Sequence, residues 1–170
     1  MEEATHRRVA SRIELAANIG TIVVVVLAIG VWAMSSRKHA PEPSRISVGT
    51  KFELKNVNWQ ANKKSMVLAV STNCHFCTES AGFYRELAEY CHNHGVTTIA
   101  VLPQSPAEAL AYLKNEGVGV DDLRQSSLPS IQITGTPTLL LIDANGVVRD
   151  VWIGKLQTNQ EKQVLSKVAL

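Results

Sequence analysis

"MVLAVSTNCHFCTES", residues 66–80, is the stretch on which the fold turns. Residues 66–71 are a short apolar run with the length of a buried strand. A polar "STN" comes next, and then Cys74 and Cys77 in C-x-x-C spacing. Two cysteines at this spacing have three meanings: a redox pair, half of a metal site, or two structural thiols. The flanking residues separate them.

Beyond the pair, Ser80, Phe83, Tyr84, Leu87, Ala88 and Cys91 recur at helical spacing, which predicts a helix over 76–93. Gly95 stands just past its end, where glycine commonly stops helices. Cys74 therefore sits where a strand gives way to a helix, and Cys77 in the first turn. Free N–H groups and the positive end of the helix dipole favour a thiolate there. The thiolate is the attacking species, and such sites lower the first thiol's pKa to roughly 3.5–7. Cys74 can then attack a disulfide, and Cys77 can resolve the mixed disulfide. His75 lies between them. Protonated, it would stabilise the thiolate and push the pair toward an oxidant.

A metal site competes on spacing alone. Cys74, Cys77, Cys91 and His94 resemble a zinc-finger ligand set. The intervening residues carry a helical pattern, however, and that much helix parts Cys77 from Cys91 by about 21 Å. A tetrahedral zinc needs each sulfur within about 2.3 Å. Metal ligation is therefore not expected. Cys91 falls on the apolar side of the helix as a small buried hydrophobe. His92 and His94 read as a solvated helix end.

Outward from this core, strands and helices alternate. Residues 96–102 ("VTTIAVL") predict a second strand. "SPAE" opens a helix, with Ser105 as N-cap, Pro106 at the first position and Glu108 closing a capping box. Gly117 ends it. Residues 118–135 are looser, with a short strand expected in "LPSIQI". "TLLLID" (Thr138–Asp143) is a third clear strand, and Asn145-Gly146 turns it into a hairpin with "VVRDVWI". Thr158 and Glu161 predict a capping box for a last helix carrying Val164, Leu165 and Val168 on one face. The order predicts an α/β fold: a mixed β-sheet with helices on both faces. The folded domain is expected over 48–170.

Ahead of it, residues 18–34 contain no charged side chain. The run is at the lower edge of the roughly 17–25 residues that span a bilayer as a helix. A retained transmembrane anchor, a cleaved signal peptide and a core helix all compete for it; its length and long polar lead favour the anchor. Residues 1–17 would be a cytoplasmic tail and 35–47, with two prolines, an extended linker. Arg7, Arg8 and Arg12 before the run balance Arg37, Lys38 and Arg45 after it, so the positive-inside rule gives a tie. A net charge of +2 and 5% aromatic residues argue against a nucleic-acid partner. Three cysteines among 170 residues are too few for a disulfide-stapled scaffold.

"CHFC" opening a helix after a buried strand, with "GTPT" (residues 135–138) before a later strand, resembles the thioredoxin-like superfamily. "VGTKFELKNVNW" and "GTPTLLLIDANGVVRDVWIG" look most like its membrane-anchored thiol–disulfide oxidoreductases, related to cytochrome c maturation reductases. The resemblance implies a thioredoxin-like fold and a cis bond between Thr136 and Pro137. It implies that Thr136 and Pro137 receive a partner's backbone beside Cys74, with no cofactor. It further implies a single-pass protein at the cell membrane, N-terminus cytoplasmic and domain extracytoplasmic (periplasmic). Its partners would be protein thiols or disulfides and a membrane or soluble redox partner. Three residues depart from the pattern. Asn73 stands where thioredoxins usually carry Trp, and Leu68 where they carry a buried acid. The dipeptide His75-Phe76 marks no single subgroup. Two other classes share parts of the pattern. A thiol peroxidase would use Ser71-x-x-Cys74, but Val67 replaces the expected proline. A metal-binding chaperone would need differently spaced cysteines and a distant histidine.

Overall fold

The computed structural model describes residues 45–170 and, in the N-terminal segment, residues 24–27 and 29–30. Two compact units divide the chain, Met1–Glu42 and Pro43–Leu170. In the first, residues 24–27 and 29–30 are helical, and Val24, Leu27 and Ile29 are exposed. Among the described residues, no helix is long and apolar enough to cross a membrane. Most of the expected anchor, the tail and most of the linker lie outside the described residues.

The second unit runs α1 (Trp59–Asn62), β1 (Lys64–Ala69), α2 (His75–Glu79), α3 (Ala81–Asn93), β2 (Thr97–Leu102), α4 (Pro106–Asn115), β3 (Asp122–Gln125), β4 (Thr138–Asp143), β5 (Val148–Ile153) and α5 (Thr158–Ala169). The sheet order is β3-β2-β1-β4-β5. β1 pairs parallel with β2 and antiparallel with β4, β2 parallel with β3, and β4 antiparallel with β5. This is the mixed thioredoxin-like sheet.

β1 is central, and its residues from Ser65 onward are buried. A strand covered on both faces reads as a continuous apolar run, which is why "MVLAV" is conspicuous. Successive side chains feed opposite layers. Met66, Leu68 and Val70 join a cluster with Phe83, Tyr84, Leu87 and Cys91 of α3, Ala109 and Leu113 of α4, and Val164 and Val168 of α5. Val67 and Ala69 join the other, with Ile46, Phe52, Leu54, Ile131 and Ile133. Helices stand on both faces, as expected, but unequally. The three long helices share one face. The other is covered by residues 46–54, the short α1 through Trp59, and a 3₁₀ turn at Leu128–Ile131. The cause is topological: β1→β2→β3 makes two right-handed crossovers in the same direction, which puts α3 and α4 on one side. Ile46, assigned to the linker on sequence, is buried, and its N–H donates to Gln132 O at 3.0 Å.

Local departures have physical causes. The expected helix over 76–93 is two helices parted at Ser80, although Ser80 N–H still bonds Phe76 O and Tyr84 N–H bonds Ser80 O. No strand forms in "LPSIQI". Pro129 enters a 3₁₀ turn, Gln132 takes a left-handed φ of 62°, and Ile131 and Ile133 are buried by packing, not by pairing. The missing strand is the polar "DLRQ" of β3, an edge strand with one neighbour. The last helix starts one residue early: Gln160 Oε1 accepts from Gln157 N–H at 2.9 Å, in place of the Thr158–Glu161 box. The Ser105–Glu108 box forms as expected.

Asn145-Gly146 does turn the β4–β5 hairpin. Asp143 Oδ1 accepts from Asn145 N–H at 2.8 Å and from Val147 N–H at 2.9 Å. Burial works to raise the Asp143 pKa, but these bonds and Arg149 outweigh it and hold the carboxyl below its ordinary value. Gly146 has φ +76°, and a Cβ there would meet Trp59 Cδ1 at 2.8 Å. Gly49, also at positive φ, has nothing within 4 Å. Gly146→Ala is therefore expected to lower the denaturation midpoint more than Gly49→Ala. The second carries only the backbone penalty of about 1 kcal/mol. Urea titration of both variants checks the ranking, and equal losses would contradict it.

Candidate redox site

The site begins where β1 ends. Val70 N–H bonds Val101 O at 3.1 Å, which pins the chain as it leaves the sheet. Ser71 then organises a turn: its Oγ accepts from Gln104 Nε2 at 2.9 Å, and its carbonyl accepts from Cys74 N–H at 3.1 Å. Cys74 is the N-cap of α2, with extended backbone (φ −101°, ψ 106°). Its Sγ accepts from Cys77 N–H at 3.2 Å, and its carbonyl accepts from Cys77 N–H and Thr78 N–H. An N-cap normally offers an oxygen to the orphan amides. Here a sulfur fills that place.

Cys74 and Cys77 are joined as a disulfide, with Cα atoms 5.2 Å apart. The two sulfurs are not equivalent. Cys77 is 0% exposed within the helical-face cluster, whereas Cys74 is only partly buried. An incoming group reaches Cys74. Thr136 O lies 3.4 Å from Cys74 Sγ. A disulfide sulfur carries no proton, so this is a contact in the oxidised protein and becomes a hydrogen bond only with a Cys74 thiol. The Thr136–Pro137 bond is cis. Pro137 is buried, its carbonyl accepts from Gly154 N–H at 2.8 Å, and Thr138 Oγ1 donates to Gly135 O at 2.8 Å. Thr136 is half-buried, and its N–H has no hydrogen-bond partner among the described residues.

The structure thus brings Cys74, Cys77, Thr136 and Pro137 together. His75 is placed differently from them. Its side chain is 79% exposed, and Nε2 lies 3.0 Å from Glu79 Oε1. Glu79 Oε2 in turn accepts from Lys155 Nζ at 2.9 Å. The pair with Glu79 was legible as i, i+4 spacing. Lys155 was not, being distant in sequence. Phe76, between the two cysteines in sequence, is 54% exposed. Cys91 is buried and free, and burial, reinforced by Asp121, pushes its thiol up to about 12. His94 Nδ1 lies 2.8 Å from Tyr90 O, its ring stacked on Tyr90. Among the described residues, no cluster of three or more His, Cys, Asp or Glu side chains is placed to hold a metal ion.

The sequence matches the Redoxin family over residues 36–168. It belongs to that family. Known folds agree with the assignment. The thioredoxin domain of a thiol-disulfide oxidoreductase from Bacteroides vulgatus aligns at 14% identity and TM-score 0.56, covering 74% of this chain and 99% of its own. A thiol:disulfide interchange protein of the thioredoxin family from Chlorobium tepidum aligns at 16% and 0.56, with the same coverage. A thiol-disulfide isomerase from Corynebacterium glutamicum aligns at 16% and 0.54, covering 78% and 97%. No curated protein matches the sequence. A Redoxin chain of thioredoxin-like fold, with its C-x-x-C pair disulfide-bonded at a helix start, is a thiol–disulfide oxidoreductase.

The difference between the cysteines is testable. After reduction, iodoacetamide at neutral pH is expected to label Cys74 quickly and to leave Cys91 unlabelled until the chain is denatured. A raised pKa keeps the Cys91 thiol protonated, and the protonated form is unreactive. Peptide mass mapping reads the result, and labelling of native Cys91 at the rate of Cys74 would refute it.

Proposed function

We propose that this chain is held at a membrane by residues 18–34 and exchanges disulfides with protein partners outside the cytoplasm through Cys74. The observation that carries the exchange chemistry is the pairing of a reachable Cys74 sulfur with a fully buried Cys77, beneath Thr136. In the reducing direction, the Cys74 thiolate attacks one sulfur of a partner disulfide. The partner's S–S bond breaks, and its second sulfur leaves as a thiolate that takes a proton. Cys77, deprotonated, then attacks Cys74 Sγ. The mixed disulfide breaks and releases the partner's other thiol. The partner gains two electrons, and the chain's dithiol becomes the disulfide seen here. The same steps reversed oxidise a partner dithiol.

A protein-sized partner fits the open surface. A cleft of about 820 Å³, lined by Lys51, Phe52, Trp59, Arg124 and Ile131 among others, includes no residue of the cysteine turn or of the Thr136–Pro137 loop. The reactive sulfur is presented outward instead. Thr136, whose carbonyl touches Cys74 Sγ, is half-buried, and its N–H has no partner among the described residues; it suits an extended backbone, the use that the family resemblance assigns to this loop. Membrane attachment is supported by the charge-free run and by its apolar helical residues, which are exposed. Placement outside the cytoplasm rests on likeness to anchored oxidoreductases.

Two measurements test this. Glutathione titration of the full chain is expected to show one reversible two-electron couple that Cys74→Ser and Cys77→Ser each abolish; no such couple would end the proposal. In cells, the chain is expected in the membrane fraction through alkaline carbonate washing, and deletion of residues 1–44 should release it. Recovery of the intact chain in the soluble fraction would remove the anchor from the proposal.

A further inference from the structure

The turn that carries Cys74 and the loop that carries Thr136 and Pro137 come from distant parts of the chain, yet an exchange reaction needs them in fixed relation. α2 is short and meets α3 at a break at Ser80, across which backbone hydrogen bonds still run. A chain of contacts closes around it. Cys74 Sγ touches Thr136 O at 3.4 Å. Pro137 O accepts from Gly154 N–H at 2.8 Å. Lys155, the next residue, donates to Glu79 Oε2 at 2.9 Å. Glu79 Oε1 lies 3.0 Å from His75 Nε2, back at the cysteine turn. One carboxylate thus spends each oxygen on a different element.

We propose that Glu79 is a positioning residue for disulfide exchange: by holding His75 and Lys155 at once, it fixes the Cys74 turn against the loop that receives the partner's backbone. The proposal rests on the thiol–disulfide reading of the site. Both ion pairs are largely exposed, at 36% for Glu79, 79% for His75 and 49% for Lys155. Exposed pairs contribute little to folding stability. Their effect belongs in placement, because a protein substrate must engage sulfur and loop together, and loosening one against the other weakens its capture. The charged groups facing Glu79 are His75 on its own helix and Lys155 from the turn after β5. The hydrogen bond from Lys155, first, and the nearby positive charges hold its carboxyl below the usual value despite some desolvation. The Lys155 arm is therefore lost at a lower pH than an unpaired carboxylate would give. The His75 arm is ionic only while the imidazole is protonated.

The test uses the full chain, with insulin as the disulfide substrate and dithiothreitol as reductant. Glu79→Gln and Lys155→Gln are each expected to raise KM for insulin roughly two- to fivefold, the span that exposed ion pairs support, with kcat held. The charge-swapped double variant, Glu79→Lys with Lys155→Glu, is expected to bring KM back toward the parent at low salt. High salt should raise the parent's KM toward that of the single variants. An unchanged KM in both single variants, or a swap that restores nothing, overturns the proposal. Lys155→Gln keeps it falsifiable if Glu79→Gln fails to fold. A parent chain that neither reduces insulin nor shows a reversible couple overturns the thiol–disulfide reading, and this proposal with it. An active parent with unaltered variants overturns this proposal alone.

Discussion

A backbone N–H aimed at a sulfur is the contact on which the site depends. Cys77 N–H lies 3.2 Å from Cys74 Sγ. That contact exists only if Cys74 is the N-cap of α2, and Cys74 is the N-cap only if the chain leaves β1 at Ala69 and turns through Ser71. β1 cannot shift, because its side chains are buried in both layers and paired on both edges. A slip by one residue would exchange its two faces. The packing of a hydrophobic strand therefore fixes where an electrophile can meet a thiolate.

The same placement divides the labour between the two cysteines. In the reduced protein, Cys74 can carry negative charge, because an amide proton and solvent both reach it. Cys77 is fully buried in an apolar cluster with Leu68 and Leu102, out of reach of solvent. Leu68 stands where the resemblance to thioredoxins would put a buried acid. A carboxylate there would need a partner to offset its desolvation. Leucine removes that cost, and with it a carboxylate at that position.

The same physics governs how much could be read from residues alone. β1, β2 and β4 were legible because strands buried on both faces are apolar throughout. β3 was not: an edge strand with one neighbour can be written "DLRQ", and nothing in that composition marks it. Ile131 and Ile133 misled in the opposite sense, since burial by loop packing imitates a strand. Cys74, Cys77, Thr136 and Pro137 could be named in advance because two local motifs carry them. The ring through Glu79, Lys155 and Gly154 could not. Its members meet only through tertiary structure, and none is unusual in its own segment. The break at Ser80 left no trace because the backbone bonding, and hence the side-chain periodicity, continues across it.

Why two motifs some sixty residues apart should share one site is answered by strand direction. β1 and β4 are antiparallel neighbours, and Ala69 pairs with Thr138. The end of β1 is therefore beside the beginning of β4. The segment leaving Ala69 must lie next to the segment entering Thr138. The first is the cysteine turn, and the second is Thr136-Pro137. Parallel pairing would have put the start of β4 beside the start of β1, away from the cysteines. β5 extends the same logic by one strand. It runs antiparallel to β4, so its end at Ile153 lies opposite Thr138. The residues that leave it, Gly154 and Lys155, come out at the same edge of the sheet. Three strand ends thus lie together at the sheet edge from which the cysteine turn leaves. The mixed sheet does more than support the helix that bears the cysteines: its alternation of direction assembles the wall that faces them.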